Sequence, residues 1–339
     1  MRRPLARTLT ALAAAALISP LLAGCGSDEP AGLVIYSGRN EKLVGSLIDK
    51  LEESLDTRVE VRYGGSAELS AQLLEEGDAT EAGLFLSQDA GALGALSKEG
   101  RLAPLPQTAL EKVAPAYRGA AGDWIGLSGR VRVIAYHPDK VATPPDSVHD
   151  VVKPEWKGKV GYAPTNASFQ SFVTGMRVLE GDDATRDWLK GLKANGKPYE
   201  NNLAVMDAVD SGEVSLGLVN HYYWYERVAE KGEDKLDVRI HFLAKSDPGG
   251  LVNVAGVGML KGADAEQSAY ARKAVDFLLS AEAQRHFADK TKEYPLAAGV
   301  TSDVEDLPPF ESLTTPEIDL GELDSLKETL AILQDVGMV

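Results

Sequence analysis

The 339-residue sequence predicts an α/β chain folded as two lobes with a cleft between them. Three observations predict it. Apolar strand-like runs alternate with amphipathic helical stretches, the rhythm of a parallel sheet with crossover helices. Short loops of small polar residues open several of the helices. Two long extended segments, near 131–136 and 252–258, stand where a chain would cross into a second lobe and return.

The elements follow in order. Leu33 to Tyr36 is a compact strand, and Ser37-Gly38-Arg39-Asn40-Glu41 leads into a helix from Lys42 to Leu55. Val59 to Tyr63 alternates as a strand; Gly64-Gly65-Ser66 follows, with Ser66 placed to cap a helix running to Glu76. Gly83 to Leu86 is a third strand, with Ser87-Gln88-Asp89 before a helix from Ala90 to Glu99. Val131 to Tyr136 is the outward crossing. Ala163 to Ser168 opens a helix from Phe169 to Leu179, whose Phe169, Phe172, Val173 and Met176 share one face. Helices are expected over 182–194 and 203–210, then a short buried strand from Val214 to Val219. Val238 to Leu243 is a strand, Val252 to Leu260 the return crossing, and 265–279, 281–289 and 320–333 are helical. The expected boundaries are 33–130 plus 253–305 for lobe 1 and 131–252 plus 306–339 for lobe 2.

The amino terminus reads differently. A basic start is followed by an apolar run from Leu9 to Leu22 and then Leu22-Ala23-Gly24-Cys25, a secretory signal ending in a lipobox-like sequence. Residues 1–24 are thus the expected signal peptide and 25–32 a linker. Cys25, the single cysteine, is the expected lipidation site, which puts the chain at the extracytoplasmic face of the cell membrane and excludes a disulfide. Removing Arg2, Arg3 and Arg7 leaves 32 basic against 51 acidic residues, a formal charge of −19. Such acidity argues against nucleic acid as a partner.

No nucleophile elbow, phosphate loop or His-Glu-x-x-His motif occurs, and the five histidines are scattered. The informative stretch is Asn220-His221-Tyr222-Tyr223-Trp224-Tyr225. Adjacent side chains on a strand point to opposite faces. Two neighbouring phenols serve one site only if the strand has ended. They read either as aromatic packing or as oxygen ligands for a hard trivalent cation. The loops Ser37-Gly38-Arg39, Ser128-Gly129-Arg130 and Thr165 to Ser168 add anion-ready backbone and guanidinium donors.

At these residues the chain resembles the ferric-ion-binding proteins of bacterial ABC iron importers. The resemblance is carried by Ile35 to Arg39, Ser87 to Leu93, Leu127 to Arg130, Ala163 to Gln170, Gly217 to Trp224, Leu251 to Gly256 and Glu293 to Leu296. It implies a type II periplasmic-binding-protein fold with a two-strand hinge. It also implies Fe³⁺ held with a synergistic carbonate or phosphate, and delivery by a monomer to a permease and its ATPase. Carried over by position, Tyr222 and Tyr223 are metal ligands. Asn166, Ala167 and Ser168, with Arg130 nearby, bind the anion, and Asn202 and Asn220 line the cleft; the loop Ser37-Gly38-Arg39, read from the residues themselves, is a further anion candidate.

Two positions depart from that pattern. Asn40 stands where many relatives have a histidine ligand, and Gln88 where they have a glutamate. Two phenolates leave Fe³⁺ at +1, so an anion is expected to complete the site, with Glu41 and then Asp89 as further oxygen donors. The alternatives are the same fold binding a polyamine, phosphonate or sugar, and an extracellular hydrolase.

Overall fold

The computed structural model describes residues 31–244, 246–313 and 315–339. The signal segment, Cys25 and the linker up to Pro30 lie outside the described residues.

The chain begins with the expected strand–helix rhythm: β1 (Leu33–Ser37), α1 (Glu41–Leu55), β2 (Val59–Tyr63), α2 (Ser66–Glu76), β3 (Leu84–Ser87) and α3 (Ala90–Lys98). The short β4 (Leu102–Ala103) and α4 (Gln107–Leu110) precede β5 (Trp124–Tyr136), a strand of 13 residues. Beyond it come β6 (Val160–Tyr162), α5 (Ala167–Glu180), α6 (Asp182–Asn195), β7 (Gly196–Pro198), α7 (Asn202–Asp210) and β8 (Leu216–Asn220). Then follow α8 (Tyr222–Lys231), β9 (Arg239–Phe242), β10 (Val252–Leu260), α9 (Ala265–Leu278), α10 (Ala281–Thr291), β11 (Tyr294–Pro295) and α11 (Leu326–Asp335).

β5 belongs to two groups of strands. Its first part pairs antiparallel with β10 and β11, and through β10 with the parallel set β3-β1-β2. Its second part pairs antiparallel with β8 and β9, and β8 continues into the parallel set β6-β7. The changeover falls at Val131, whose partner across the ladder is Val252, the first residue of β10. Two layers of α/β structure are therefore hung on one continuous strand and its neighbour, which is the two-lobed, type II arrangement expected. Phe169, Phe172, Val173 and Met176 of α5 pack with Trp188 and Leu189 of α6 and with Ile332 and Leu333 of α11 in one apolar cluster, while β1, β3 and β10 centre another.

Some local expectations need correction. Gly65, not Ser66, precedes α2; Ser66 is its first residue, and its hydroxyl accepts from the Gln88 amide at 2.9 Å. The helix expected over 320–333 is broken at Ser325 into a 3₁₀ turn (Leu320–Asp324) and α11. That turn lies on α3, because Gly91 and Gly94 present no Cβ and let the carbonyls of Leu323 and Gly321 close in. Asp324 pairs with Lys98 of α3 at 2.8 Å, and one residue on, the carbonyl of Ser325 accepts from Arg177 of α5 at 2.8 Å. The C-terminal segment is thus held to both α3 and α5.

Candidate metal site in the interlobe cleft

Strand β8 ends at Asn220, and helix α8 starts at Tyr222 with His221 between them in helical conformation. The two phenols are consequently in the first turn of a helix rather than on a strand. Their ring centroids lie 4.3 Å apart with planes 34° from parallel. They sit beyond the carboxyl end of β8, the usual ligand position in such sheets. Trp224 and Tyr225 turn the other way, into the core, where their polar tips donate to the carbonyls of Val238 (3.1 Å) and Asp306 (3.0 Å). Trp224 and Tyr225 are therefore buried core packing, whereas Tyr222 and Tyr223 are half-buried and line the cleft.

Tyr222 and Tyr223 line an open cleft of about 750 Å³. The facing wall carries Asn40, Glu41, Tyr63 and Gln88, and Glu226 lies on the tyrosine side. Tyr63 ends β2 and is 40% exposed. Burial, then the charges of Glu41 and Asp49, raise its phenol above the ordinary value. Burial is also the main force holding the proton on Tyr222, helped by Tyr223 and opposed by Arg130. Burial, with Glu293 and Glu230 nearby, pushes the Glu226 carboxyl up to about 7.

The expected secondary donors divide. Asn40 faces the cleft, but its side chain caps α1 by accepting from the Leu43 amide at 3.1 Å. Gln88 and Glu41 line the cleft. Asp89 does not: its carboxylate caps α3, accepting from the Ala92 amide at 3.0 Å, so its expected place among the metal donors is corrected to a structural one. Arg39 is likewise withdrawn from the anion loop. Its Nη1 reaches both oxygens of Glu293, at 2.9 and 3.1 Å, with both side chains buried. Ser37 closes on its own loop, accepting from the Arg39 amide and donating to the Arg39 carbonyl. Gly38 lines the cleft and packs on Ser66, whose side chain a Cβ there would strike.

At the start of α5, Asn166 caps the helix, taking both the amide (2.9 Å) and the hydroxyl (2.7 Å) of Ser168, while Ala167 is exposed. Asn202 ties this turn to the phenols. Its Nδ2 lies 3.2 Å from Asn166 Oδ1, 3.1 Å from Ser168 Oγ and 3.4 Å from the Tyr223 hydroxyl.

The strongest gathering of donors is lower, on the floor. Arg130, Arg132, Ser168, Asn220 and Asn253 line a small cavity of about 10 Å³. Of these, Arg130 Nη1 (3.7 Å from Glu293 Oε1), Arg132 Nε and Asn220 Nδ2 are buried with no hydrogen-bond acceptor among the described residues. Unmet buried donors are costly, so three around one space describe a seat for an anionic oxygen. Arg132 did not emerge from the sequence reading. The available signal is its spacing, two residues beyond Arg130 and therefore on the same strand face. Its guanidinium rests on Phe172 and Phe169, 4.9 and 5.7 Å from the ring centroids, and donates to Leu218 O at 3.1 Å. Burial draws its pKa down to about 10, with the Tyr223 and Tyr222 phenols working the other way.

His221 is a support, not a ligand. Its Nε2 donates to the Lys292 carbonyl at 3.0 Å, and its Nδ1 accepts from the Val131 amide at 3.3 Å. It stacks on Tyr294 at 4.9 Å. Among the described residues, no three His, Cys, Asp or Glu side chains gather as a metal site, and no helix is long and apolar enough to cross a membrane.

The chain is similar to known proteins in both sequence and fold. A family model described as bacterial extracellular solute-binding protein matches residues 80–319. An Fe(3+)-binding periplasmic protein of Serratia marcescens is 33% identical over 311 residues, covering 91% of each chain. Iron-bound HitA from Pseudomonas aeruginosa superposes with a TM-score of 0.83 at 36% identity, covering 91% of this chain and all of that one. A Trichodesmium protein (IdiA, FutA) in complex with iron and citrate gives 0.78 at 27% identity, covering 90% and 99%.

Proposed function

The chain belongs to the bacterial extracellular solute-binding proteins, among their ferric-ion-binding members, and from that premise we propose that Tyr222 and Tyr223 capture Fe³⁺ in the cleft as phenolates, with a small oxyanion beside them. The observation that carries this is the phenol pair in the first turn of α8, facing the cleft above the unmet donors of Arg130, Arg132 and Asn220. Phenolate oxygen suits a hard trivalent ion. The floor cavity has room for about one oxygen atom of a ligand, so carbonate or phosphate would rest one oxygen there and turn the others toward the metal. Asn202 and Ser168 would steady its flank, Asn166 and Ala167 frame the helix start, and Glu41 and Gln88 close from the facing wall.

The phenols must release their protons to the solvent as the metal binds, so capture is a proton-for-metal exchange. The changeover at Val131 and Val252 supports a boundary between lobe 1 (33–130 and 253–305) and lobe 2 (131–252), with β5 and β10 as hinge. The tail, 306–339, straps both. Cys25 is the proposed lipid anchor, and an ABC permease with its ATPase the proposed recipient of the iron.

The test is a visible spectrum of the purified chain with and without Fe³⁺, in bicarbonate, in phosphate and in neither. A phenolate-to-iron band that needs one of the anions supports the reading. A colourless protein that binds no iron rejects it.

A further inference from the structure

Helix α8 carries a third oxygen donor on the same face as the two phenols. Glu226 follows Tyr222 by four residues and Tyr223 by three, the spacings that make helix side chains neighbours. It lines the same cleft. It is half-buried, and among the described residues its carboxylate makes no hydrogen bond and no ion pair, while the next acid and base on the helix are engaged: Arg227 pairs with Asp207 at 2.9 Å and with Glu230 at 3.2 Å. A carboxylate with no ion-pair partner, with only Arg227 and Lys292 acting on it from a distance and lining the same cleft as two phenols, is a site of negative charge open to a positive ligand.

The opposite wall cannot supply the same charge as readily. Asn40 and Gln88 are neutral, Asp89 is committed to its helix, and Glu41 is exposed and belongs to the other lobe. Two phenolates leave a trivalent ion at +1, and one carboxylate brings it to zero.

We propose that Glu226 is a direct ligand of the ferric ion, forming with Tyr222 and Tyr223 a triad of anionic oxygens on a single helix of lobe 2. The inference rests on the assignment of the phenol pair given above. It extends that assignment by order of events. Because all three donors share one rigid helix, lobe 2 neutralises the metal before the facing wall arrives, and Glu41 and Tyr63 serve the closed form only. Neutrality is specific to a trivalent ion. The same triad leaves a divalent ion at −1, so Ga³⁺ should bind and Zn²⁺ should not compete.

The experiment compares the wild type with Glu226→Gln, Glu226→Asp and Glu230→Gln. Each is titrated with ferric nitrilotriacetate against citrate, recording the visible band and the affinity. Glu226→Gln should keep a phenolate band, shifted in position, and lose about 100-fold in affinity, the upper end for disturbing a metal ligand's surroundings. Glu226→Asp should recover part of that loss and also covers the case in which the Gln variant fails to fold. Glu230→Gln, exposed, one turn further along the helix and outside the cleft lining, should behave as wild type. The inference is overturned if Glu226→Gln and Glu226→Asp match the wild type in band and affinity, or if Glu230→Gln weakens binding as much. A wild type with no phenolate band overturns the Tyr222–Tyr223 assignment itself, a distinguishable result that takes this inference with it.

Discussion

Arg39 and Glu293, 254 positions apart in sequence, form a buried ion pair that fastens the loop after β1 to the strand entering β11. Ser128 donates to the same carboxylate, and Arg130 lies 3.7 Å from it. Burial works to raise the Glu293 carboxyl, but Arg39, Arg130 and the hydrogen bonds from Arg39 and Ser128 outweigh it and hold the group below the usual carboxylate range. Removing one partner of such a pair costs about 3–5 kcal/mol. Glu293→Gln should lower unfolding stability by that order in denaturant titration, and a loss under ~1 kcal/mol would show the pair to be dispensable. Since the folded carboxyl is the stronger acid, its contribution is present above the unfolded value near 4.3 and drains away as pH falls below it.

Replacing Tyr222 and Tyr223 together by Phe should abolish the phenolate band and reduce iron affinity by several orders of magnitude. Either single replacement should leave a weaker band. A double variant with unchanged colour and affinity would reassign the site.

Arg132→Gln removes a floor charge without touching the phenols. Charge-assisted hydrogen bonds contribute about 1.5–3 kcal/mol, so the affinity gain given by bicarbonate or phosphate should shrink roughly 10- to 100-fold. Iron binding in anion-free buffer should change far less. Calorimetric titration with and without anion separates the two, and equal losses in both buffers would place Arg132 outside anion binding.

His221 offers a pH test. Burial draws its pKa down to about 4, so the folded state keeps it neutral while the unfolded chain protonates near 6.5. The stability it supports is complete above 6.5 and is lost as pH falls toward 4. Between pH 7 and pH 5 the loss is about 2 kcal/mol. Chemical unfolding at the two pH values should show it in the wild type and not in His221→Gln; equal slopes in both would assign the acid sensitivity elsewhere.

Much of the architecture was legible because local signals and global fold agree. The strand–helix rhythm, the apolar face of α5 and both crossing segments lie where periodicity puts them. The tyrosine pair was legible because a polar step at Asn220-His221 ends its strand. Less legible was which polar groups are already engaged. Asp89 reads as a candidate ligand, yet a helix start claims its side chain. Arg39 reads as an anion donor, yet its partner is a glutamate that no local pattern connects to it. Arg132 and Glu226 went unread for the opposite reason: each looks like an ordinary charged residue until the fold shows that, among the described residues, neither forms an ion pair.

The tail fastened to α3 through Lys98 and to α5 through Arg177 gives the molecule a leash as well as a hinge. A strand shared by two lobes can twist through a range of angles without limit of its own. On the proposed hinge, a segment held to both α3 and α5 would restrain that twist around Asp324 and Ser325. The glycines at 91 and 94 would then act at a distance, since they let that segment lie close on α3.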